Sequence, residues 1–257
     1  MIITFLSDFG LKDDFVGTCH GVIARIAPDA RVIDITHGVA PQAVLQGALV
    51  LRNTLPYLPL GVHLAVVDPG VGSQRRGVAV RTRDGRLFVG PDNGLLLLAA
   101  DDIVAAHELT DPRYRLPDVS RTFHARDVFA PAAAHLANGV AVEELGPPVT
   151  DLVMLNVPQP EVAEHHVSGA VLAVDRFGNV ATNLRREHLG ASGQTVEVRV
   201  GSNGYHAVVG DTFADVREGA LLVYEDSYGM VTLAVNSGDA ARLTGAMVGD
   251  SLRVTAS

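Results

Sequence analysis

Residues 66–77 read Val66-Val67-Asp68-Pro69-Gly70-Val71-Gly72-Ser73-Gln74-Arg75-Arg76-Gly77. The apolar run from residue 63 to residue 67 predicts a buried strand, and the Pro-Gly pair behind Asp68 predicts its end. The glycines of the following loop permit sharp turns and a close approach of the backbone to a ligand. Ligands of open parallel sheets bind at the carboxyl ends of the strands. We therefore expect Asp68 at a binding edge with Arg75 folded back over it, as a catalytic pair or, alternatively, as a structural ion pair.

Strands and helices alternate through the first half of the chain. Apolar runs predict the strands, and apolar side chains three or four positions apart predict the helices between them. This alternation is typical of β-α-β units, so we predict an α/β domain with a mostly parallel sheet and helices on both faces. The predicted elements of this half are strands at 2–6, 31–35 and 63–67, helices at 13–27, 43–55, 95–100 and 128–138, and a hairpin at 78–89 around Asp84-Gly85.

Beyond Gly146-Pro147-Pro148 the pattern changes to short β-like runs separated by turns. No helical pattern longer than two turns occurs there, and the pair Asn203-Gly204 predicts a tight hairpin turn. We therefore predict two domains, an α/β domain at residues 1–158 and a smaller all-β barrel at residues 166–257. Strands of the second domain are predicted at 167–174, 180–184, 195–200, 205–209, 220–224, 231–235 and 251–254.

Composition limits the class of protein. The chain has 257 residues, 47% of them apolar, and a formal net charge of −9 without a tryptophan. A nucleic-acid surface is therefore not expected, whereas a cationic small molecule is compatible with this charge. The single cysteine, Cys19, excludes an internal disulfide and falls on the apolar face of a predicted helix, where we expect core packing. No stretch resembles a signal peptide or a membrane span, so we expect a cytoplasmic protein.

The sequence meets none of three common ligand-binding motifs. Gly72 and Gly77 stand five apart, but no Lys-Ser/Thr pair follows, so the loop is not a phosphate-binding P-loop. Ser7-Asp8-Phe9-Gly10 follows the first strand in place of the glycine-rich turn of dinucleotide-binding folds. No histidine pair has the i, i+4 spacing of a zinc protease, and His165-His166 is interpreted as solvated linker. A cofactor or metal site therefore has no support in the sequence.

Two further clusters of polar residues admit a functional or a structural interpretation. Within residues 123–127, His124 is a candidate site residue, or else Asp127 caps a helix and His124 is a loop residue. Asp175 and Asn179, which follow another predicted strand, bind the polar edge of a ligand or close an Asx-type turn. The residues themselves leave both alternatives open.

Taken together, these pieces resemble the S-adenosyl-L-methionine (SAM) hydrolases, or hydroxide adenosyltransferases, which are related to enzymes that transfer fluoride or chloride to the adenosyl group. The resemblance covers almost the whole chain and rests on the order and spacing of short motifs, each of which is weak alone. These motifs are Ser7-Asp8-Phe9-Gly10 with Asp13, Asp34-Ile35-Thr36-His37, Val67-Asp68-Pro69-Gly70-Val71-Gly72 with Arg75, Gly90-Pro91-Asp92-Asn93-Gly94, Phe123-His124-Ala125-Arg126-Asp127, Asp175-Arg176-Phe177-Gly178-Asn179 and Ser227-Tyr228-Gly229.

The resemblance implies an α/β N-terminal domain, a β-barrel C-terminal domain and a homotrimer whose active sites lie between neighbouring subunits, with no metal or cofactor. It also implies roles for single residues. Asp68, Arg75 and His124 would handle the hydroxide nucleophile. The remaining implied residues would bind the substrate: Asp8 the ribose hydroxyls, Asp13 the methionine ammonium, Phe213 the purine by stacking, and Asp175, Asn179, Ser227 and Tyr228 the methionine and adenine ends.

The implied reaction needs little machinery, because a sulfonium leaves as neutral methionine without a proton or a metal. We expect Arg75 and a protonatable His124 to favour an anionic oxygen while Asp68 orients it, rather than general-base catalysis by Asp68. A halide adenosyltransferase is one alternative, but a charged Asp68 would repel a dehydrated halide. The halogenases carry uncharged residues at the positions of Asp68 and Arg75 and an aromatic residue at that of Gln42. A non-catalytic SAM-binding protein is the other alternative.

Overall fold

The structure is a computed structural model that describes residues 1–256. The chain forms two compact units, Met1–Leu155 and a second unit that begins at Asn156. The first unit contains a sheet covered by helices, and the second contains a barrel of strands. None of the described helices is long and apolar enough to cross a membrane.

The first unit is built on a six-stranded sheet. Its strands are β1 (Ile2–Ser7), β2 (Arg31–Thr36), β3 (Val62–Val66), β4 (Gly77–Thr82), β5 (Leu87–Pro91) and β6 (Ile103–Glu108), and its α-helices are α1 (Phe15–Ile26), α2 (Val44–Thr54) and α3 (Ala130–Ala137). The strand order is β2-β1-β3-β5-β4-β6. The pairs from β2 to β5 are parallel, whereas β4 runs antiparallel to both β5 and β6. The sheet is therefore mixed, and β6 is a strand that the sequence patterns did not predict.

The pleat of the strands divides the core of this unit into two layers on opposite faces of the sheet. On β3, Leu64 and Val66 pack with α1 and α3, whereas Ala65 packs with α2, because successive side chains of a strand point to opposite faces. Cys19 is fully buried in the first layer, so the expected core packing is confirmed. Burial raises the pKa of its thiol to about 12, which keeps Cys19 unreactive.

Residues 95–100 form a series of tight turns, and the prediction of a helix there is wrong. Leu97 N donates to Gly94 O at 3.3 Å and Ala99 N donates to Leu96 O at 3.1 Å, which are the i to i+3 bonds of turns. A run of six residues is too short to form a stable helix by itself. The run is apolar because it is buried against the sheet, not because it is helical.

The second unit is a closed barrel, as the sequence predicts. Its elements are β7 (Glu161–Val162), β8 (His166–Val174), β9 (Val180–Thr182), β10 (Thr195–Val200), β11 (Asn203–Val209), β12 (Leu221–Glu225), β13 (Val231–Val235), α4 (Ala240–Thr244) and β14 (Ser251–Ala256). Among the described residues, seven strands pair in the order β14-β10-β11-β12-β13-β9-β8, and the additional pairing of β14 with β8 closes the ring. Alternate side chains such as Val196, Val198 and Val200 fill the interior.

The turn between β10 and β11 lies two residues earlier than predicted. Asn203 and Gly204 belong to β11, where they pair with Val200 and Arg199. Gly201 and the residue after it form the turn, and Gly201 adopts a positive φ of 58°. Gly201 can adopt the left-handed conformation that the tight turn requires. Asn203 and Gly204 are therefore not needed for the turn and belong to the strand.

Candidate active site

The carboxyl ends of β1 and β3 lie side by side at one edge of the sheet. The two strands are parallel, and Ser7 at the end of β1 pairs with Val66 at the end of β3. Asp8 and Asp68 follow these residues within two positions. Both carboxylates therefore stand at the edge where the connecting loops of an open sheet part and leave room for a ligand.

Arg75 folds back over Asp68, as the sequence predicts. Arg75 Nε donates to Oδ1 and Oδ2 of Asp68 at 2.8 and 3.0 Å, and Arg75 Nη2 also donates to Oδ2. Both side chains are nearly buried, with 11% of Arg75 and 7% of Asp68 exposed. The guanidinium carbon lies 5.0 Å from the centroid of the Phe129 ring. Hydrogen bonds from two nitrogens together with stacking fix the guanidinium as a planar fork, which a lysine cannot reproduce.

His124 joins this pair through Arg75. The distance from Arg75 Nη2 to His124 Nδ1 is 3.0 Å. Because a guanidinium only donates, Nδ1 must accept, and the neutral imidazole then carries its proton on Nε2. Burial, and then the charge of Arg75, lowers the pKa of His124 below its ordinary value. In this arrangement Arg75 supplies the positive charge, and a neutral His124 would be a donor through Nε2.

The lowered pKa of His124 predicts an acid limb in the activity. Protonation of Nδ1 would remove the acceptor of Arg75 Nη2 and place two cations side by side. As the pH decreases, kcat/KM should therefore fall with an apparent pKa below 6.5. His124→Asn should abolish this limb, because an amide oxygen can still accept from Arg75 but does not titrate. The measurement is kcat/KM for both proteins between about pH 4.5 and pH 8.

The same shift links His124 to folding. Between its lowered pKa in the folded protein and the ordinary value of 6.5, the unfolded chain binds more protons than the folded one. The stability contributed by neutral His124 is thus present above pH 6.5 and is lost as the pH falls through the folded pKa. Thermal unfolding of the His124→Asn variant should lack this component. If kcat/KM of the His124→Asn variant fell at low pH as it does in wild type, the titrating group would be one other than His124.

A π-helical turn, Ala125–Phe129, begins directly after His124 and leads into α3. Asp127 in this turn is buried, and its carboxylate accepts from Arg126 Nε at 2.6 Å and from Ser120 N at 2.8 Å. The alternative interpretation of Asp127 as a helix cap is wrong, since His124 occupies the cap position. Such turns are frequent at functional sites. The turn that begins after His124 is therefore fixed by the hydrogen bonds of the buried Asp127.

Gly72 allows the loop that carries Asp68 and Arg75 to pass directly against the segment that leads to His124. Its φ is 78°, and a Cβ at this position would overlap the carbonyl oxygen of Arg121. Any residue other than glycine would be strained here both by its backbone and by this contact. The close approach explains how two segments that are far apart in the sequence form one site.

Asp8 is anchored by a residue in an uncommon backbone conformation. Gln42 has a φ of 66°, in the left-handed region that residues other than glycine seldom adopt. Its backbone N donates to Asp8 Oδ2 at 2.8 Å. Backbone strain of this kind concentrates at functional sites, which fits the predicted binding role of Asp8. Asp13 lies exposed in the turn that precedes α1.

Asp175 closes the hairpin between β8 and β9. Its Oδ1 accepts from the backbone N of Phe177 and of Asn179 at 2.8 and 2.9 Å, and its Oδ2 accepts from Asn179 Nδ2 at 2.7 Å. This is the Asx-type turn that the sequence left open as an alternative. Asp175 therefore shapes the loop that presents Phe177 and Asn179.

An open cavity of about 400 Å³ lies beside this hairpin in the second unit. Phe213 and Phe177 are 40% and 71% exposed, and the ring centroids of Phe213 and Tyr224 lie 5.2 Å apart. Exposed aromatic faces beside polar side chains suit a flat heteroaromatic ligand. Phe177 and Ser237 line the cavity but were not predicted as site residues. The sequence offers a signal for Phe177, which is an aromatic residue in an otherwise polar hairpin, but none for Ser237. The lining residues are Phe177, Asn179, Phe213, Val235, Ser237 and Gly238.

Ser227 and Tyr228 lie in the hairpin between β12 and β13, before the first residue of β13. The register of β13 with β9, Leu233 opposite Val180, places the hairpin of residues 175–179 near the other end of β13. Each residue of a strand advances the chain by about 3.3 Å, so the two hairpins are separated along the strand. The predicted binding residues of this unit thus form two groups, an arrangement that suits the two ends of an elongated ligand.

Comparisons with known proteins match both units. The family model described as SAM hydroxide adenosyltransferase N-terminal domain matches residues 3–146, and the model of the C-terminal domain of the same name matches residues 169–253. The (R)-S-adenosyl-L-methionine hydrolase of Salinispora tropica is 50% identical over 264 residues, which cover 99% of this chain and 97% of that protein. The fluorinase of Nocardia brasiliensis is 31% identical over 289 residues, which cover 98% of this chain and 96% of that protein. A crystal structure of an uncharacterized conserved protein from Thermotoga maritima superposes with a TM-score of 0.93 at 38% identity and covers 98% of this chain and 99% of that one.

Proposed function

The chain belongs to the SAM hydroxide adenosyltransferase family, and on that premise we propose that Asp68, Arg75 and His124 perform its reaction, the hydrolysis of SAM to adenosine and L-methionine. The observation that carries the proposal is the unbroken hydrogen-bonded series from His124 Nδ1 through the Arg75 guanidinium to the Asp68 carboxylate. This series lies at the carboxyl edge of the sheet, where ligands of such folds bind.

The leaving group makes few demands on the protein. The bond from C5′ to sulfur breaks with both electrons going to the sulfonium, which departs as the neutral thioether of methionine. The bond from C5′ to the oxygen of water forms at the same carbon, and one proton is released to solvent. The protein therefore has to hold the oxygen in line with the breaking bond and to keep other water away. Such positioning can supply several kcal/mol of the barrier.

Asp68, Arg75 and His124 can hold the oxygen nucleophile from two sides. Oδ1 of Asp68 accepts one bond from Arg75, whereas Oδ2 accepts two, so the second lone pair of Oδ1 can accept from a water and orient it. The positive charge of Arg75 and the Nε2 proton of His124 favour negative charge on that oxygen as the attack proceeds. The low exposure of Asp68 and Arg75 strengthens these interactions, because little water screens them.

The substrate-binding roles follow the two units. We propose that Asp8, anchored by Gln42, binds the ribose hydroxyls and that the exposed carboxylate of Asp13 binds the methionine ammonium. The purine is proposed to stack on Phe213 in the cavity beside the β8–β9 hairpin. The remaining proposed binding residues for the two ends of the substrate are Asp175, Asn179, Ser227 and Tyr228.

The domain limits, assembly and location stay predictions from the sequence. These are domains at residues 1–158 and 166–257, a homotrimer with active sites between neighbouring subunits, and a cytoplasmic protein. The relative from Salinispora is named for the (R) epimer of SAM, so we also propose (R)-SAM as the substrate here. Sedimentation of the purified protein tests the trimer, and separate assays with the two sulfonium epimers test the stereochemistry.

Hydrolysis in 18O-labelled water tests the reaction. We expect adenosine with the label at its 5′ hydroxyl and unlabelled methionine, with or without chloride or fluoride, because the carboxylate of Asp68 disfavours a halide at that position. The products are identified by mass spectrometry. A 5′-halo-adenosine would make the chain a halide adenosyltransferase, and recovery of intact SAM would make it a binding protein.

Phe213→Ala should weaken substrate binding without slowing the chemical step. Stacking of a base on an aromatic side chain is worth about 1–3 kcal/mol, so KM should rise roughly 5- to 150-fold with kcat nearly constant. The measurement is the full dependence of rate on SAM concentration. Phe213→Leu is the matched control for apolar bulk, and it should lie between wild type and alanine. A fall in kcat with unchanged KM would contradict the proposal that Phe213 binds the purine.

A further inference from the structure

A second cluster of potential ligand atoms lies behind the loop that carries Asp8. His20 lies in α1, Asp34 in β2 and His37 directly after β2, and one potential ligand atom from each lies within 4.8 Å of the other two. Asp34 Oδ1 is 2.9 Å from His20 Nε2 and 3.1 Å from His37 Nε2. The three residues are 14 and 3 positions apart in the sequence. Asp34 and His37 belong to one short motif, but His20 lies outside it, so the sequence does not show that the three residues meet.

His37 Nε2 is an unsatisfied atom in this cluster. The side chain of His37 is 2% exposed, and among the described residues its Nε2 is the buried side-chain polar atom without a hydrogen-bond partner. Its other nitrogen, Nδ1, is engaged with Ser7 Oγ at 2.7 Å. If Nδ1 donates to Ser7, the lone pair of Nε2 faces the Asp34 carboxylate at 3.1 Å, which is repulsive. If Nδ1 accepts, an Nε2 proton is left without a well-aligned acceptor, which is costly in a buried site.

A divalent cation between these atoms would remove both difficulties. Zn²⁺ binds imidazole nitrogen and carboxylate oxygen at about 2.0–2.2 Å, and two tetrahedral ligands at that distance are about 3.3 Å apart. The two observed separations, 2.9 and 3.1 Å, are close to this value. A metal-bound histidine characteristically makes a hydrogen bond through its other nitrogen, as His37 does with Ser7. The Phe5 ring packs against both imidazoles and limits their rotation.

We propose that His20 Nε2, Asp34 Oδ1 and His37 Nε2 form a binding site for a divalent transition-metal ion of the Zn²⁺ type, with solvent completing the coordination. His20 and Asp34 are partly exposed, so the ion can enter from solvent. Neutral His20 would bind through Nε2 after its proton moves to Nδ1. The site is separate from the proposed chemistry of Asp68, Arg75 and His124, and metal binding to it does not depend on SAM hydrolysis. Only the effect on KM given below rests on the proposed function.

The ion would stabilise the substrate-binding loop. His37 contacts Ser7 through its side chain, and its carbonyl oxygen accepts from Gly10 N at 2.7 Å. Asp8 lies between these two anchors. Fixing His37 through a metal ion would therefore fix the loop around Asp8, so the ion's role is positional. Metal binding should raise thermal stability and lower KM for SAM, with little change in kcat.

Calorimetric titration with ZnCl2 tests the site on the full-length protein after treatment with EDTA. We expect one equivalent bound by wild type, and a melting temperature that rises by roughly 5–10 °C when free Zn²⁺ reaches about 100 times Kd. His20→Gln and Asp34→Asn, which change partly exposed residues, should weaken Kd by more than about 100-fold, since even outer partners contribute roughly 10–100-fold. Neither variant should show the rise in melting temperature.

His206→Gln is the matched control, because His206 is an exposed histidine of β11 outside the cluster. It should bind Zn²⁺ as wild type does. Substitution of Co²⁺ adds a second readout, since nitrogen and oxygen ligands in a tetrahedral site give visible absorption that His20→Gln should abolish. Absence of stoichiometric binding in wild type, or equal binding by His20→Gln and Asp34→Asn, would overturn the proposal.

Discussion

Arg75→Ala should lower kcat by about 10²- to 10³-fold with little change in KM, because the guanidinium acts on charge that develops during attack rather than on bound SAM. Arg75 is the only member of the catalytic series that contacts both of the others, Asp68 and His124, within the described residues. The loss of Arg75 removes the positive charge and leaves both Asp68 and His124 without their hydrogen bonds to the guanidinium. Steady-state rates across a range of SAM concentrations give the two parameters separately.

Two variants separate the catalytic effect from the structural one. Removing Arg75 leaves the Asp68 carboxylate buried without its cation, which typically costs about 3–5 kcal/mol of folding free energy. In the double variant Arg75→Ala with Asp68→Asn this charge is gone, so the melting temperature should recover while kcat stays low. Arg75→Lys keeps the positive charge but loses the planar set of guanidinium donors, so it should give an intermediate kcat. A pure increase in KM for Arg75→Ala would contradict the proposed role.

Asp68→Asn should lower kcat by about 10²-fold while the protein remains folded. The amide keeps the volume of the side chain and one acceptor for Arg75 Nε. If its NH2 group takes the place of Oδ2, the two hydrogen bonds that Oδ2 accepts from Nε and Nη2 become repulsive contacts. The variant also loses the carboxylate that orients the nucleophilic oxygen. Single-turnover rates with excess enzyme report this step without product release.

Asp84→Asn provides the control for the same chemical change at a distance. Asp84 also pairs with an arginine, Arg86, at 3.0 Å, but it lies in the β4–β5 hairpin at the opposite edge of the sheet. Its substitution should leave kcat and KM unchanged. If Asp68→Asn behaved like Asp84→Asn, the pair of Asp68 and Arg75 would be structural, which is the alternative that the sequence left open.

The local chemistry of the loop after β3 is readable from the sequence. An apolar run followed by Asp-Pro-Gly sets the end of the strand, and glycine at 72 permits the turn that returns Arg75 to Asp68. Both events depend on residues within one short segment, so no knowledge of the rest of the chain is needed. The barrel is predictable for a similar reason, because alternating apolar residues and turn signals are local properties of each hairpin.

The charge of His124 could not be read in this way. Its protonation depends on Arg75, 49 positions away, and on burial that only the packed turn provides. The run at residues 95–100 misled the helix prediction because an apolar hexapeptide has the same composition whether it forms turns or a helix. Asp175 is a similar case, because only the folded hairpin shows that three donors surround its carboxylate.

The sequence alone determines the order of elements, the strand ends that carry Asp8 and Asp68, and membership of the family. Strand ends and turns can be predicted because they depend on residues that are neighbours along the chain. Folding alone decides which groups share one environment. It makes His124 a neutral partner of Arg75, opens the cavity between Phe177 and Phe213, and brings His20, Asp34 and His37 to one point. The physical reason is that hydrogen-bond partners and burial, which set protonation and affinity, are supplied by residues remote in sequence.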